Sequence, residues 1–532
     1  MNQDYCLAIR SLTKGASPDA GQPPWYGWEP QPPSEPTIAH RFLSICTKHA
    51  DRISMEDGRG ALSYRWLHCQ SSRLAQHLVN HNDFEVGTHV GLCLSNSPEY
   101  VAAFFGIQLA GGVAVPIPPC QQGSRSQQQI GMTRLKLLIE DAKPRAETTS
   151  RDTLLVRLNA TTVPQSCQQV RPMGRLAMLL FTSGSSGDPK AVMLSHQNIL
   201  SNTQSIVQVL PVAPTDRSLA NMPFAHALGN SVMQSHILNG AGLIFSSDLL
   251  FPTALLNALE TKQCTSLVAV PEVFDFLLRA LGTDSLKSSS LRYMAVAGGR
   301  MDPDRAVQLA SQISPVEFFV MYGQTEATAR LACLPSKQLE QQADTIGMPI
   351  PGVEFSIRNG DGNPVNDGQV GTLFARGKNI MLGYWNDPEG SHSVLRNGWL
   401  NTGDRAAKNP VGNYTICGRE NGLVKIQGYR FHPNEIDAIL LKLMPDTQFA
   451  TVPYADQGQT RLALFAHHPE NAPIDPMELR QICYRQLARH MVPQLYQVIE
   501  SWPLNSAHKI DRAELSRRAC QISLARPYNR SA

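Results

Sequence analysis

The residues with the clearest capacity for chemistry lie in Phe181-Thr182-Ser183-Gly184-Ser185-Ser186-Gly187-Asp188-Pro189-Lys190. Six consecutive Ser, Gly or Thr residues give a pliant backbone dense in N–H and O–H donors, and Lys190 adds a positive charge. Such a loop can wrap an anion closely. Its spacing excludes the common phosphate loop, which needs four residues between its first Gly and a Gly-Lys-Ser/Thr ending. Here two residues separate Gly184 from Gly187, and the Lys comes three positions later. A second stretch, Met321-Tyr322-Gly323-Gln324-Thr325-Glu326, offers a ring able to stack on a base. It also carries a carboxylate suited to Mg²⁺, which takes few carboxylates plus phosphate oxygens. A third, Thr402-Gly403-Asp404, sets an acid in a tight turn, where it can grip both hydroxyls of a ribose. Singly, these are also the residues of a Ser/Gly linker, a core Tyr and a turn Asp.

Elements that would position these groups are legible around them. The loop leaves an apolar run, 177–181, that reads as a buried strand, and enters a second short strand, 191–194. A helix follows, with Ser195 as N-cap and Ile199, Thr203, Ile206, Val207 and Leu210 on one face. The loop therefore joins two strands instead of sitting on a helix N-terminus. Apolar strands over 90–94, 113–117, 266–270, 293–297 and 317–321 alternate with helical patterns such as 102–109 and 272–280. That alternation predicts an α/β fold, with a large N-terminal body of parallel-rich α/β sheets over residues 37–419. Gly/Pro/Asn-rich turns from about 345 to 419 predict a β subdomain within it. Residues 420–532 predict a small α+β C-terminal lid domain, with helices starting near Pro433 and after Asp475. Residues 1–36, with six prolines between 23 and 36, read as an extended lead-in rather than a packed element.

Bulk properties narrow the class. At 532 residues, 42% apolar and 17% charged, the chain reads as an ordinary globular protein of more than one domain. A net charge of +3 is too small to favour a nucleic-acid surface. Neither a signal segment nor an apolar run long enough to span a membrane is present, so a cytoplasmic location is expected. Eleven cysteines without a Cys-x-x-Cys pair read as reduced thiols, and none has zinc-site spacing.

The stretch 181–196, followed in order by 321–326, 402–404 and 503–512, resembles the signature motifs of the acyl-adenylate-forming enzymes. That superfamily includes acyl-CoA synthetases, peptide-synthetase adenylation domains and firefly luciferase, and the resemblance covers roughly residues 37–517. It implies ATP and Mg²⁺. Thr182, Ser183, Gly184, Ser185, Ser186, Gly187 and Lys190 would surround the phosphates. Gly298 and Gly299 would run along adenine and substrate, with Tyr322 and Gly323 at the adenine and Thr325 at the α-phosphate. Glu326 would hold the metal, and Asp404 and Arg419 would contact the ribose. Lys509 matches an essential lysine of the family, although His508 precedes it where relatives carry Gly. Lys425, in Gly422-Leu423-Val424-Lys425-Ile426-Gln427-Gly428-Tyr429-Arg430, matches the surface that a second lid orientation presents for thioester formation. Asn421 stands at the swivel, where relatives have an acid or Lys. Lys509, Thr182, Glu326, His226 and Lys425 are the expected catalytic residues.

Pro223-Phe224-Ala225-His226 resembles the border of the family's acyl pocket. Relatives that take α-amino acids usually carry Asp after this Phe, because a buried ammonium without a partner is costly. Here the position is Ala225, and His226 resembles the gate of aryl- and acyl-activating relatives. The expected substrate is a carboxylic acid without an α-ammonium group and with an uncharged tail, and Asn230, Ser231 and Met233 are expected to join its pocket. The acyl-AMP would form with release of pyrophosphate. Three acceptors stay open: CoA, the phosphopantetheine of an acyl carrier protein, and an amino acid amine as in coronafacate-type ligases. A catalytically inactive scaffold relative is the rival of another class.

Overall fold

The computed structural model describes residues 6–11, 36–119, 129–141, 153–157, 175–182, 189–246, 252–271, 273–274, 277, 290–419, 422, 424–426, 429–456, 459–469, 472–487, 489–505 and 509–525. The fold is α/β, as the strand–helix alternation predicts.

One eight-stranded sheet runs in the order Gly383–Tyr384, Lys190–Ser195, Leu176–Thr182, Val113–Pro116, His89–Cys93, Leu137–Asp141, Cys6–Ser11, Thr153–Arg157. Its middle is parallel and both ends are antiparallel. The middle strands are short apolar runs, as strands covered on both faces require; all of Val113–Pro116 is buried. The helix Pro98–Ala110 is buried along its whole length and packs against strands of both large sheets. It starts earlier than the 102–109 pattern because Ser97 caps it, accepting from the Tyr100 N–H, with Pro98 in its first turn.

A second, nine-stranded sheet has the order Met348–Pro349, Ala332–Leu334, Glu317–Tyr322, Tyr293–Val296, Ser266–Ala269, Arg217–Leu219, Gly242–Ile244, Ile53–Asp57, Gly60–Ser63. The run from Glu317–Tyr322 to Ile53–Asp57 is parallel. Parallel strands bring their carboxyl ends to one edge, so Tyr322, the Gly298–Gly299 pair and the 220–226 segment emerge side by side. A smaller antiparallel sheet joins Val353–Arg358, Gly371–Gly377, Trp399–Lys408, Leu395–Arg396 and Tyr414–Arg419, the turn-rich β region expected from 345 onward.

Beyond residue 420 lie the hairpin Val424–Ile426/Tyr429–Phe431, a three-stranded sheet (Gln448–Asp456, Gln459–His467, Leu495–Val498) and the helices Pro433–Leu443, Pro476–Gln486 and Arg512–Ala525. Among the described residues, their buried apolar side chains cluster only with one another.

The N-terminal stretch corrects the expectation of an unpacked lead-in. Cys6–Ser11 is a strand inserted between Leu137–Asp141 and Thr153–Arg157, with Leu7 and Ile9 fully buried. The prolines that suggest an extended stretch begin after it, while 6–11 itself alternates apolar residues at 7 and 9 on one face. The expected helix over 272–280 falls mostly outside the described residues. No helix among the described residues is long and apolar enough to cross a membrane.

Candidate active site

The strands flanking the Ser/Gly loop pair antiparallel, so Thr182 stands directly across from Lys190. Ser183, Gly184, Ser185, Ser186 and Gly187 lie outside the described residues, as do Asn421 and His508. The strand Lys190–Ser195 passes into the helix His196–Val209 through a capping box: Ser195 Oγ accepts from the Asn198 N–H, and Asn198 Oδ1 accepts from the Ser195 N–H. That helix then fixes the neighbouring loops with amides one turn apart. Asn198 Nδ2 donates to the carbonyls of Lys378 and Ile380 at 2.7 Å each. Asn202 Nδ2 donates to the Arg330 carbonyl at 2.8 Å.

On its other side, Lys190–Ser195 is joined by the two-residue strand Gly383–Tyr384, with Tyr384 opposite Val192. Lys190 Nζ sits 4.6 Å from the centroid of the Tyr384 ring and 3.1 Å from Asp387 Oδ2. The Tyr384 hydroxyl donates to Glu326 Oε1 at 2.9 Å. Burial first, and the nearby Glu326 charge second, push that hydroxyl above the usual tyrosine range, so it remains a donor. The Lys190–Asp387 pair is about a third exposed (35% and 37%), and such pairs are worth roughly 0–1 kcal/mol. An incoming phosphate can therefore take Lys190 from Asp387 at small cost.

Glu326 lies in the short 3₁₀ turn Thr325–Ala327, directly after the strand carrying Tyr322. The turn is closed by Thr328, a β-branched residue at φ 67°, a strained conformation. Thr328 Oγ1 donates to the Asn379 carbonyl at 2.7 Å and holds it there. Backbone contact also links the two segments, since the Met381 N–H donates to the Glu326 carbonyl at 2.9 Å.

Gly323 has a packing reason of its own. A Cβ there would lie 1.9 Å from the Ala329 carbonyl oxygen and 2.7 Å from the Arg330 Cα. Gly323→Ala should destabilise the protein by about 3 kcal/mol, since backbone on both sides must move. Urea unfolding checks this; an unchanged midpoint would mean the loop gives way freely.

The Tyr322 hydroxyl donates to Asp404 Oδ2. Asp404, 4% exposed, is the ladder partner of Arg419 in the pairing of Trp399–Lys408 with Tyr414–Arg419. The tight turn expected at Thr402-Gly403-Asp404 is not present: all three residues lie within the strand Trp399–Lys408, and Gly403, at φ 70°, takes up an irregularity in its pairing with Gly371–Gly377. Of Arg419 and Lys425 only the backbone is described. Contacts thus run from Thr182 and Lys190 through Tyr384 to Glu326, along the chain to Tyr322, and on to Asp404 and its partner position Arg419.

Gly298 and Gly299 follow the strand next to that of Tyr322, Val296 pairing with Val320. A Cβ at Gly298 would lie 3.5 Å from Leu228 Cδ2, which places this turn against the helix Ala227–Ile237. His226 is the N-cap of that helix but makes no capping hydrogen bond with its side chain. Its segment is clamped: Phe224 N–H donates to Asn96 Oδ1 at 2.9 Å, and its carbonyl accepts from Asn230 Nδ2 at 2.9 Å. Asn230 is thereby committed on both sides, its Oδ1 accepting from Gln234 Nε2 at 2.6 Å, and Met233 is fully buried in the core. Ser231, one turn from Ala227, faces Arg330, whose Nη1 donates to its Oγ at 3.2 Å. Lys509 stands in the C-terminal region, exposed, at a turn in which the Asn505 N–H donates to the Lys509 carbonyl at 2.8 Å and Leu504 bridges Ile510.

Sequence reasoning missed Tyr384 and Asp387. Their signal was slight: Gly383-Tyr384-Trp385 is too short for periodicity, and Asp387-Pro388 reads only as a helix start. It also missed Arg330, a lone cation ahead of the apolar run 331–334. Among the described residues no cluster of three or more His, Cys, Asp or Glu could hold a metal alone. Mg²⁺ held by one carboxylate plus phosphate oxygens does not need one. Glu326 fits that use: Tyr384 fixes Oε1, and Oε2 makes no hydrogen bond among the described residues.

A sequence profile described as AMP-binding enzyme matches residues 42–385. Tyrocidine synthase 2 of Brevibacillus parabrevis is 26% identical over 497 residues, covering 91% of this chain and 14% of that protein. The long-chain-fatty-acid–CoA ligase of Escherichia coli O157:H7 is 25% identical over 535 residues, covering 90% and 94%. The chain thus spans only a small part of the first relative and nearly all of the second. Among solved structures, the amide bond synthetase McbA from Marinactinospora thermotolerans superposes with a TM-score of 0.78 at 22% identity, covering 91% of this chain and 99% of that one.

Proposed function

The chain belongs to the AMP-binding enzyme family, and from that premise we propose that it is an adenylate-forming ligase that activates a carboxylic acid with ATP and passes the acyl group to a thiol. The linked set Lys190–Tyr384–Glu326 and Tyr322–Asp404 is the observation that carries this reading. It joins one cation, one carboxylate and one acid able to grip a ribose through two tyrosines and the strand end between them.

Each residue has a job that its chemistry supports. Thr182, Lys190 and the intervening loop bind the phosphates, and Tyr322 lines the adenine while directing Asp404 to the ribose beside Arg419. Thr325, at the start of the turn, contacts the α-phosphate. Glu326 holds Mg²⁺, which when bound supplies charge neutralisation on the phosphates. Gly298 and Gly299 let the backbone lie along adenine and acid, and His226 heads the helix that walls the acyl side. Residues 420–532 act as a lid over the 37–419 body, a division supported by the separate clustering of apolar side chains after 424. Lys509 comes in over the reacting carboxylate and α-phosphate, where it offsets the charge that accumulates in the transition state. Positioning and charge stabilisation dominate such in-line attacks. A turn of the lid then presents Lys425 for acyl transfer.

Tyr384→Phe keeps the ring under Lys190 but removes the donor to Glu326. A hydrogen bond to a charged group is worth about 1.5–3 kcal/mol, so the adenylation rate should fall about tenfold or more. An unchanged rate would show that the hydroxyl does not orient Glu326.

ATP–pyrophosphate exchange with a panel of aliphatic and aryl acids tests the reading. Acid-dependent exchange is expected, and supplying CoA, a phosphopantetheinyl carrier protein or amino acids in turn identifies the acceptor. Transfer to an amine alone would replace the thiol half of the proposal, and exchange with no acid would overturn the whole.

A further inference from the structure

Arg330 is 3% exposed, and the mechanism above does not use it. Its backbone is fixed from two sides: its N–H donates to Asn202 Oδ1, and its carbonyl accepts from Asn202 and Asn379. The side chain is treated differently. Of five guanidinium donors, a single hydrogen bond is made among the described residues, from Nη1 to Ser231 Oγ at 3.2 Å. Nε is buried and has no acceptor, and no ion pair to Arg330 occurs among the described residues. Burial pushes its pKa down to about 10, which still leaves a cation at neutral pH.

A buried charge without a partner is among the costliest arrangements in a protein. Structural arginines spend their donors on carbonyls and carboxylates, and this one does not. Its position explains what the missing partner is. Ser231 and Leu228 are one turn apart on the helix headed by His226 and project from the same face. Leu228 meets the Gly298 turn, and Ser231 meets Arg330. Arg330 also follows the 325–328 turn and abuts Gly323. The guanidinium therefore stands against the helix Ala227–Ile237, which His226 heads and whose Leu228 meets the Gly298 turn, the elements expected to border the acyl pocket.

We infer that the acid substrate carries a second carboxylate, which Arg330 binds at the end remote from the carboxylate that is adenylated, while Ser231, whose hydroxyl donates to the Leu228 carbonyl, only positions the guanidinium: the chain activates a dicarboxylic acid. This rests on the ligase reading above and revises the uncharged tail expected from Ala225. A planar fork of donors matches a carboxylate bidentately. The same cation disfavours an ammonium in the pocket, in keeping with the lack of an acid at position 225.

The test is ATP–pyrophosphate exchange with straight-chain and aryl diacids, their monomethyl esters and monoacids of matched length. At least one diacid should exceed its monomethyl ester in kcat/KM by on the order of a hundredfold, because a site built to bind a polar group rejects the analogue that lacks it. Arg330→Met should bring that ratio close to one, chiefly by lost diacid activity. Arg330→Lys, which keeps charge without the fork, should leave it intermediate. Monoesters or monoacids turned over by the wild-type protein as well as any diacid would overturn the inference and leave the ligase reading standing, and this arm needs no variant to fold. A ratio unchanged in Arg330→Met would also overturn it. Silence toward every acid would overturn both.

Discussion

Lys509→Ala is expected to lower acid-dependent ATP–pyrophosphate exchange by roughly a thousandfold or more, while consumption of supplied acyl-AMP with its acceptor stays within about twofold. Attack of a carboxylate on the α-phosphate brings two anions together, and as the new bond forms the negative charge moves from the carboxylate onto the phosphoryl oxygens and the departing pyrophosphate. A preorganised donor aimed at developing charge is worth about 10²–10³ in rate, and a full cation in a water-poor cleft should exceed that. Acyl transfer from a preformed adenylate develops its charge on the acyl carbonyl and, in the proposed mechanism, would use the Lys425 surface instead, so this lysine should be dispensable for it. The exposed position of Lys509 suits a residue that comes into place only when the lid closes, and its removal should leave the fold intact. Equal loss in both assays would assign Lys509 to folding or nucleotide binding instead.

Glu326→Gln should cost a further large factor, about a hundred- to a thousandfold in exchange rate at ordinary Mg²⁺. The substitution is chosen because it is nearly isosteric: the amide oxygen still accepts from the Tyr384 hydroxyl, so the 381–384 segment keeps its anchor. What disappears is the negative charge. A hard cation such as Mg²⁺ binds a neutral amide far more weakly than a carboxylate. The Mg²⁺ concentration giving half-maximal exchange should therefore rise by at least about tenfold, and excess Mg²⁺ should restore part of the rate. A Mg²⁺ midpoint that does not move would remove Glu326 from the metal.

Much of this arrangement is legible in the sequence for local physical reasons. Ser195 is the helix N-cap as expected, and the two strands expected on either side of the Ser/Gly loop, Leu176–Thr182 and Lys190–Ser195, are present and paired. Tyr322 and Glu326 emerge from the end of a parallel strand, where sheet geometry puts ligands. Sheet register supplies what spacing only suggested, placing Asp404 across from Arg419. Features that depend on distant chain segments were not legible. Gly383–Tyr384 is two residues long and becomes a strand only because Lys190–Ser195 offers it an edge. Cys6–Ser11 is sheltered by partners more than a hundred residues away. Gly323, expected at the adenine, has the Ala329 carbonyl packed against it, and the burial of Arg330 comes from helix and loop segments distant in sequence that the local pattern does not announce.

The central claim is that an acid becomes joined to AMP at the cleft defined by Lys190, Glu326 and Asp404. Isotope transfer tests it most directly: an acid labelled with ¹⁸O in its carboxylate is turned over with ATP, Mg²⁺ and an acceptor, and the nucleotide product is weighed by mass spectrometry. AMP carrying one ¹⁸O from the acid is expected. ADP as the product, or AMP without the label, would contradict it.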